Sequence, residues 1–417
     1  MPTPTDGYSF TPQKFPYKNR EALLDDYTPD TLVGRDDELQ EYHAALLPAI
    51  NGEQPDNIFL YGKAGVGKTA STRFLLDRLE QDADEYAVDI HSEMVNCDGL
   101  NSSYRVTVEL VNNYRDPENQ ISETGYARSQ VYDMLWQELD NRGGLHIIVL
   151  DEVDHMNDDS MLYQLSRARE NEKIENARVA VIGISNDLTF KDSLSPKVRS
   201  SLCERAISFS TYDANELRAV LDQRQQVAFQ EDVLSEDVVP LCAAYGAQES
   251  GDARKALDLL MKAGDKARED AGSTEIVTET HVREGREMLE REEIQKGIID
   301  LNEQERLILY ALATFAAEGE TPVQSRMHYK RYKQLTERAG SDSLSERWMR
   351  EQTDELDMLG LAYVEEKNEG RRGGLYREHE LRQDLEIVLD ALSETIESVG
   401  IHESVQQYTS TNEALSD

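Results

Sequence analysis

Residues 62–69 read GKAGVGKT, a complete match to GxxxxGK[ST], set between the strand-like run NIFLY (57–61) and the helix-compatible ASTRFLLDRLE (70–80). An apolar strand that breaks into a glycine-rich turn and opens directly into a helix is the layout of a phosphate loop in an α/β domain. Glycines 62, 65 and 67 let the backbone curl so that its N–H groups and the helix N-terminus face an anion. The stretch Gly62, Lys63, Ala64, Gly65, Val66, Gly67, Lys68, Thr69 and Ala70 is therefore the expected seat of ATP or ADP. Lys68 is expected to reach the β- and γ-phosphates, and the Thr69 hydroxyl to ligate Mg²⁺.

Two further strand ends complete the pattern. The run IIVLDEVD (147–154) places Asp151 at the carboxyl end of a buried strand, in reach of the Mg²⁺ shell, with Glu152 beside it to orient or deprotonate a water. Phosphoryl transfer needs positioning and charge neutralisation more than covalent chemistry, so these residue types suffice. A third run, VAVIGIS (179–185), ends at Asn186, placed to contact the γ-phosphate or the water. Taken singly, an acidic strand end or a lone Asn is ordinary turn chemistry. Together with the loop they form one constellation.

Charge pulls the other way. The 417 residues carry 82 Asp+Glu against 44 Lys+Arg, a formal charge of −38, and the basic set is 30 Arg to 14 Lys. Abundant carboxylates with scarce lysine, on a chain that is still 39% hydrophobic, point to a cytoplasm of multimolar salt. There, charges are screened within about 3 Å at 1 M. Taken alone, the same charge describes a protein that avoids nucleic acid. The three cysteines (Cys97, Cys203, Cys242) form no CxxC pair, and the eight histidines show no HExxH spacing, against a disulfide scaffold or a zinc site. The beginning, MPTPTDGYSF, shows no secretory pattern, and the apolar runs are strand-length, so a cytoplasmic protein with no membrane partner is expected.

Continuous Val/Ile/Leu runs followed by helices mark strands buried on both faces, hence a parallel sheet. The expected order is an arm at 1–30 lying on the next domain, a nucleotide-binding base at 31–212, an all-helical unit at 213–295, and a third unit at 296–395. That unit reads as helix–turn–helix followed by a hairpin. Residues 396–417 are expected to be an acidic tail without regular structure.

The order GKAGVGKT, IIVLDEVD, MLYQLSRARE (161–170), VAVIGISNDLTF (179–190), LSPKVRSSL (194–202) and SGDARKALDLL (250–260) resembles the archaeal origin-recognition and cell-division-control replication initiators, of haloarchaeal type. The resemblance implies an α/β fold: an AAA+ parallel-sheet base, a helical lid and a C-terminal winged-helix DNA-binding domain. It implies a weak ATPase acting as a nucleotide switch on double-stranded origin DNA, with other initiator copies and the replicative helicase as further partners. In GDARKAL, Arg254 looks like the lid arginine that senses the γ-phosphate, joining Glu152 and Asn186 as catalytic residues, while 25–39 looks like the stretch that borders the adenine, with Val33 in contact. Where relatives carry a finger arginine this chain has Lys197, with Arg199 two positions on and about 200° around the helix. A lysine lacks the planar fork that stabilises phosphoryl charge.

At the DNA-binding end, Leu301, Ile308, Ala311, Leu312 and Phe315 recur at helical spacing. A later helix at 343–358 gathers Leu344, Trp348, Leu356 and Leu359 on one face and Arg347 with Arg350 on the other. Residues 326–350 hold seven basic and three acidic side chains, a +4 island in an acidic chain. Arg371 and Arg372 stand at the tip of a glycine-rich turn where a wing belongs, suited to a minor groove or a phosphate. The segment 121–140 resembles the helix these initiators insert to touch DNA, with Arg128 as its candidate contact, although Val131, Leu135 and Leu139 suit a packed helix equally. A nucleotide-regulated repressor and a clamp-loader-like ATPase stay open as alternatives.

Overall fold

The computed structural model describes residues 15–270, 275–368 and 375–416 and divides into two compact units at Gly285/Arg286. In the first unit a five-stranded sheet is built from β1 (Ile58–Tyr61), β2 (Ile90–Asn96), β3 (Gly144–Asp151), β4 (Ala177–Ser185) and β5 (Arg205–Ser208). All neighbours are parallel, in the order β2-β3-β4-β1-β5. The three central strands are the apolar runs visible in the sequence. The strands β2 and β5 stand at the sheet edges, where IHSEMVN and RAIS keep polar, half-exposed side chains and leave no continuous apolar run to read.

Helices cover both faces. On one, α1 (Asp36–Ile50) and α2 (Lys68–Tyr86) close a core with Leu46, Leu75, Leu76, Ile147, Val149 and Ile182. On the other, α3 (Ser103–Asn113), α4 (Arg128–Arg142), α5 (Ser160–Ser166), α6 (Phe190–Ser193) and α7 (Pro196–Leu202) occupy the chain between strands. Val106, Leu110, Leu135, Leu139, Leu162 and Leu202 pack there with Ile148, Leu150 and Val181 of the sheet. Register places Tyr61 opposite Ser185 and Leu150 opposite Gly183, so β1, β3 and β4 end side by side. The residues that follow them share one rim, where open α/β sheets bind ligands.

The lid comprises α8 (Ala214–Ala228), α9 (Val238–Glu249), α10 (Ala253–Glu269) and the start of α11 (Glu279–Ile299). Each of α8 and α10 begins on an aspartate, Asp213 and Asp252, whose carboxylate accepts the first free N–H groups. The described part of the arm, residues 15–30, lies on this lid and not on the base that follows it in sequence. Lys18 and Asn19 donate to the Ala228 carbonyl, the Tyr17 hydroxyl donates to Met261 at 2.6 Å, and Arg20 pairs with Asp265 at 2.7 Å. The reason is apolar: Tyr17, Ala22 and Leu23 are buried, and Tyr17 packs on Phe229.

In the second unit, α12 (Glu303–Glu318) is buried along Leu307–Phe315 and forms the axis of the core. Leu301 is buried just ahead of it. Around α12 stand β6 (Val323–Gln324), α13 (Ser325–Ala339), α14 (Glu346–Met358) and the hairpin β7 (Ala362–Asn368) with β8 (Leu375–Leu381), the three strands ordered β6-β8-β7. This is a winged helix. Then come α15 (Leu385–Ala391), α16 (Ser393–Val399) and α17 (Glu403–Ser416). The expectation of a structureless tail at 396–417 is thus overturned. Ile396, Val399 and Val405 join the core, the Tyr310 hydroxyl accepts from the His402 N–H at 2.9 Å, and the His402 ring accepts the Ser404 N–H at the start of α17. So few apolar residues escape a periodicity search yet suffice to dock short helices.

Candidate nucleotide site

At the shared rim, the base and lid of the first unit enclose a cleft of about 280 Å³. Gly67, at φ +90°, starts α2 and so puts the first turn of that helix at the loop. Gly65 has φ +70°, and a Cβ there would run into the Asp252 carboxylate, so only glycine fits. The lid tip meets the loop directly, because Ala253 donates its N–H to the Gly65 carbonyl at 3.0 Å.

Lys68 is buried and fully engaged. Its ammonium donates to the Gly62 and Lys63 carbonyls at 2.8 and 2.7 Å and to Asn186 Oδ1 at 2.9 Å. Burial pulls its pKa down to about 8, against the pull of Asp151 and Asp154. The Thr69 hydroxyl donates to Asp151 Oδ2 at 2.8 Å, so one hydroxyl and one carboxylate already stand together as oxygen ligands suited to Mg²⁺. The Asn186 amide reaches Glu152 Oε1 at 3.4 Å. Glu152 itself holds φ +53°, which turns the chain sharply off β3 at the rim. Groups from three strand ends are therefore joined by hydrogen bonds around one point.

Of the residues expected at this site, Val33, Ala64, Gly65, Gly67, Lys68, Thr69, Ala70, Asp151, Glu152, Asn186 and Arg254 line the cleft. Val66 points into the core under the loop, and Gly62 and Lys63 contribute carbonyls to Lys68. Sequence reasoning missed residues that shape the wall. Arg224 of α8 donates to the Tyr27 carbonyl at 3.1 Å and stacks on the Tyr27 ring at 4.6 Å. Arg35, 1% exposed, lies 3.7 Å over Tyr212 and donates to the Ser210 carbonyl at 2.7 Å. Leu24, Leu32, Val33 and Leu257 give this side an apolar surface suited to a planar base. The available signal was Arg35 in VGRDDEL, an arginine directly before a helix start.

Lys197 and Arg199 lie exposed on α7 outside this cleft, Arg199 at 3.8 Å from Asp192. Arg128 begins α4 and contacts Ser160 at 3.3 Å and Asp158 at 3.8 Å. The rest of α4 is a core helix, with Val131, Leu135, Trp136 and Leu139 buried. On α14, Arg347 and Arg350 do share the solvent face, but each is paired one turn away, with Glu351 and Glu346. The buried face is Met349, Thr353 and Leu356, whereas Leu359 is 57% exposed, because the helix ends at Met358 and Leu359 falls beyond its packed turn. Arg371 and Arg372 lie outside the described residues. Arg377 of β8 ties the hairpin to α14 through Asp354 at 2.8 Å and bridges to Glu366 of β7 across the hairpin at 2.7 Å.

A parallel sheet in this strand order and a phosphate loop capped by a helical lid define an ATPase of the AAA+ class, here one that carries a winged helix. Models of an AAA domain, of the Cdc6 AAA+ ATPase-type lid domain and of the CDC6 C-terminal winged-helix domain match residues 51–189, 218–287 and 296–391. The chain is 55% identical over 402 residues to ORC1-type DNA replication protein 11 of Haloarcula marismortui, covering 96% of this chain and 97% of that one. It is 38% identical over 361 residues to the ORC1-type DNA replication protein of Pyrococcus abyssi, 86% of this chain and 85% of the other. Among solved structures, the Aeropyrum pernix ORC1 protein in complex with DNA superposes with a TM-score of 0.76 at 37% identity, covering 91% and 97% of the two chains. The chain belongs to the ORC1-type DNA replication proteins, the ORC1/Cdc6 family of replication initiators. Among the described residues no helix is long and apolar enough to cross a membrane.

Proposed function

We propose that this chain is an ATP-switched replication initiator that binds double-stranded origin DNA through its winged helix, with a slow ATPase timing the switch. The observation that carries the reading is the joined set Lys68–Asn186–Glu152 and Thr69–Asp151 at a base–lid cleft, in a chain that also bears a winged helix. ATP would sit with its phosphates on the loop and its base against Val33 and Tyr27. Thr69 and Asp151 would hold Mg²⁺, which neutralises phosphate charge. Glu152 orients the attacking water, Asn186 positions Glu152, and Arg254 senses the terminal phosphate from the lid. A lysine at 197 in place of a finger arginine supports slow turnover. Contact with other initiator copies and with a replicative helicase belongs to the same reading.

On DNA, Arg347 and Arg350 of α14 together with the wing arginines Arg371 and Arg372 are the candidate contacts, and Arg128 is a further one on the base. Support comes from the Aeropyrum pernix ORC1 protein, whose structure was solved with DNA. The test is footprinting on repeat-bearing DNA at molar KCl, with and without ATP. The wild type is expected to protect a defined repeat, and Arg347→Ala/Arg350→Ala to lose that protection. Lys68→Ala should remove nucleotide binding, and Glu152→Gln should retain binding but stop hydrolysis. Absence of any specific protection, with ATPase stimulation by a protein partner instead, would favour the clamp-loader alternative.

A further inference from the structure

Arg254, the lid arginine, is already occupied. Its Nε lies 2.9 Å from Oδ2 of Asp25 on the arm, and both side chains are about half exposed, at 51% and 55%. The two residues line the same cleft as Lys68, Thr69, Glu152 and Asn186. Further carboxylates flank the pair: Asp252, which caps α10, and Asp258, one turn beyond Arg254. Burial, reinforced by Asp25, pushes the Asp258 carboxyl up to about 6, and burial likewise raises Asp25 against the pull of Arg254.

Asp25 does not hang on a loose chain end. On one side Leu23 is buried and Arg20 holds Asp265 of α10. On the other, Arg224 of α8 holds the Tyr27 carbonyl and ring. Both anchors are lid helices, and Arg254 is also on the lid. The short span carrying Asp25 is thus pinned over Arg254 by the same body that carries it, and little chain entropy is lost in making the pair.

A guanidinium offers the same planar fork to a carboxylate and to a phosphate. The Nε–H that Asp25 takes cannot at the same time be given to a phosphate, so the Nε edge of the fork faces one or the other. We propose that Asp25 sets the nucleotide-state specificity of this site: its carboxylate holds Arg254 when no terminal phosphate is present, and the γ-phosphate of a nucleoside triphosphate displaces it. A diphosphate does not reach Arg254 and leaves the pair closed. The arm stays anchored on the lid in both states, and only the Asp25–Arg254 pair opens with triphosphate and closes with diphosphate. This inference rests on the reading of Arg254 as the phosphate-sensing residue.

The competing pair costs triphosphate affinity what it contributes itself, about two- to five-fold for a half-exposed ion pair. The test is calorimetric titration of the full chain with a non-hydrolysable ATP analogue and, separately, with ADP, in Mg²⁺ and molar KCl. Wild type, Asp25→Asn, Asp25→Ser, Arg254→Ala and the Asp25→Asn/Arg254→Ala double variant are compared. Both Asp25 variants are expected to tighten the analogue two- to five-fold and leave ADP unchanged, and to have no effect once Arg254 is gone. Unchanged or weakened analogue binding, equal tightening of ADP, or an effect that survives Arg254→Ala each overturns the assignment of Asp25. A wild type that binds neither nucleotide overturns the nucleotide reading itself, and the two failures are thereby distinguished.

Discussion

Single residues at the rim carry the chemistry, and the chain selects them for conformation as much as for charge. Gly65 is the sharpest case. Its φ of +70° disfavours any side chain, and the Asp252 carboxylate occupies the space a Cβ would need. Gly65→Ala is expected to cost about 1–3 kcal/mol of stability, in the range for a residue forced into a left-handed conformation. It should also lose nucleotide affinity, since the loop must move to relieve the clash. Denaturant melts and nucleotide titration of the variant check both, and a variant with wild-type affinity would show that the loop tolerates a side chain. The placement of Lys68, Thr69, Asp151 and Glu152 was legible because each stands at a strand end or helix start. Asp25, Arg35 and Arg224 were not, because each acts through a partner on another element: Arg254, Tyr212 and Tyr27.

Elements add a second kind of information, since packing decides which face of a correctly placed helix is used. In the winged helix, His328 of α13 and His379 of β8 are buried with their Nδ1 atoms 2.9 Å apart, and His328 Nε2 lies 2.9 Å from the Ile308 carbonyl of α12. With both rings neutral, the two contacts form when His328 donates from Nε2 to the carbonyl and accepts at Nδ1 from His379. Burial drives their pKa values down, to about 4 and about 3. An unfolded histidine titrates near about 6.5, so the unfolded chain binds more protons as pH falls below that value. The stability these rings contribute is full above about pH 6.5 and is lost as pH drops toward 4, by at most about 1.4 kcal/mol per ring per pH unit. Melts at constant KCl should show this slope in the wild type and a shallower one in His379→Leu. Equal slopes would count against neutral buried rings. Nothing in the spacing of His328 and His379 announces the pair, which only the fold of α13 against β8 brings together.

For the whole molecule, the charge of −38 and the DNA-replication family membership are reconciled by where the cations stand. Arg347 and Arg350 remain on the solvent face of α14, each paired with a glutamate one turn away. Carboxylate repulsion across the surface is unscreened at low salt. Thermal stability is therefore expected to fall as KCl drops from about 3 M to about 0.1 M, read by calorimetry. A melting temperature independent of salt would argue against assigning the acidity to the solvent. The sequence by itself determined the parallel sheet, the phosphate loop with its Mg²⁺-suited pair, and a helix–turn–helix followed by a hairpin, because strand burial, glycine turns and helix periodicity act over a few residues. Only the tertiary structure decided that residues 15–30 lie on the lid, that Asp25 holds Arg254, that residues 403–416 form a helix, and that β2 and β5 close the sheet. Those features rest on contacts between residues far apart in the chain, where a single apolar side chain or one ion pair is enough once the rest of the fold has placed it.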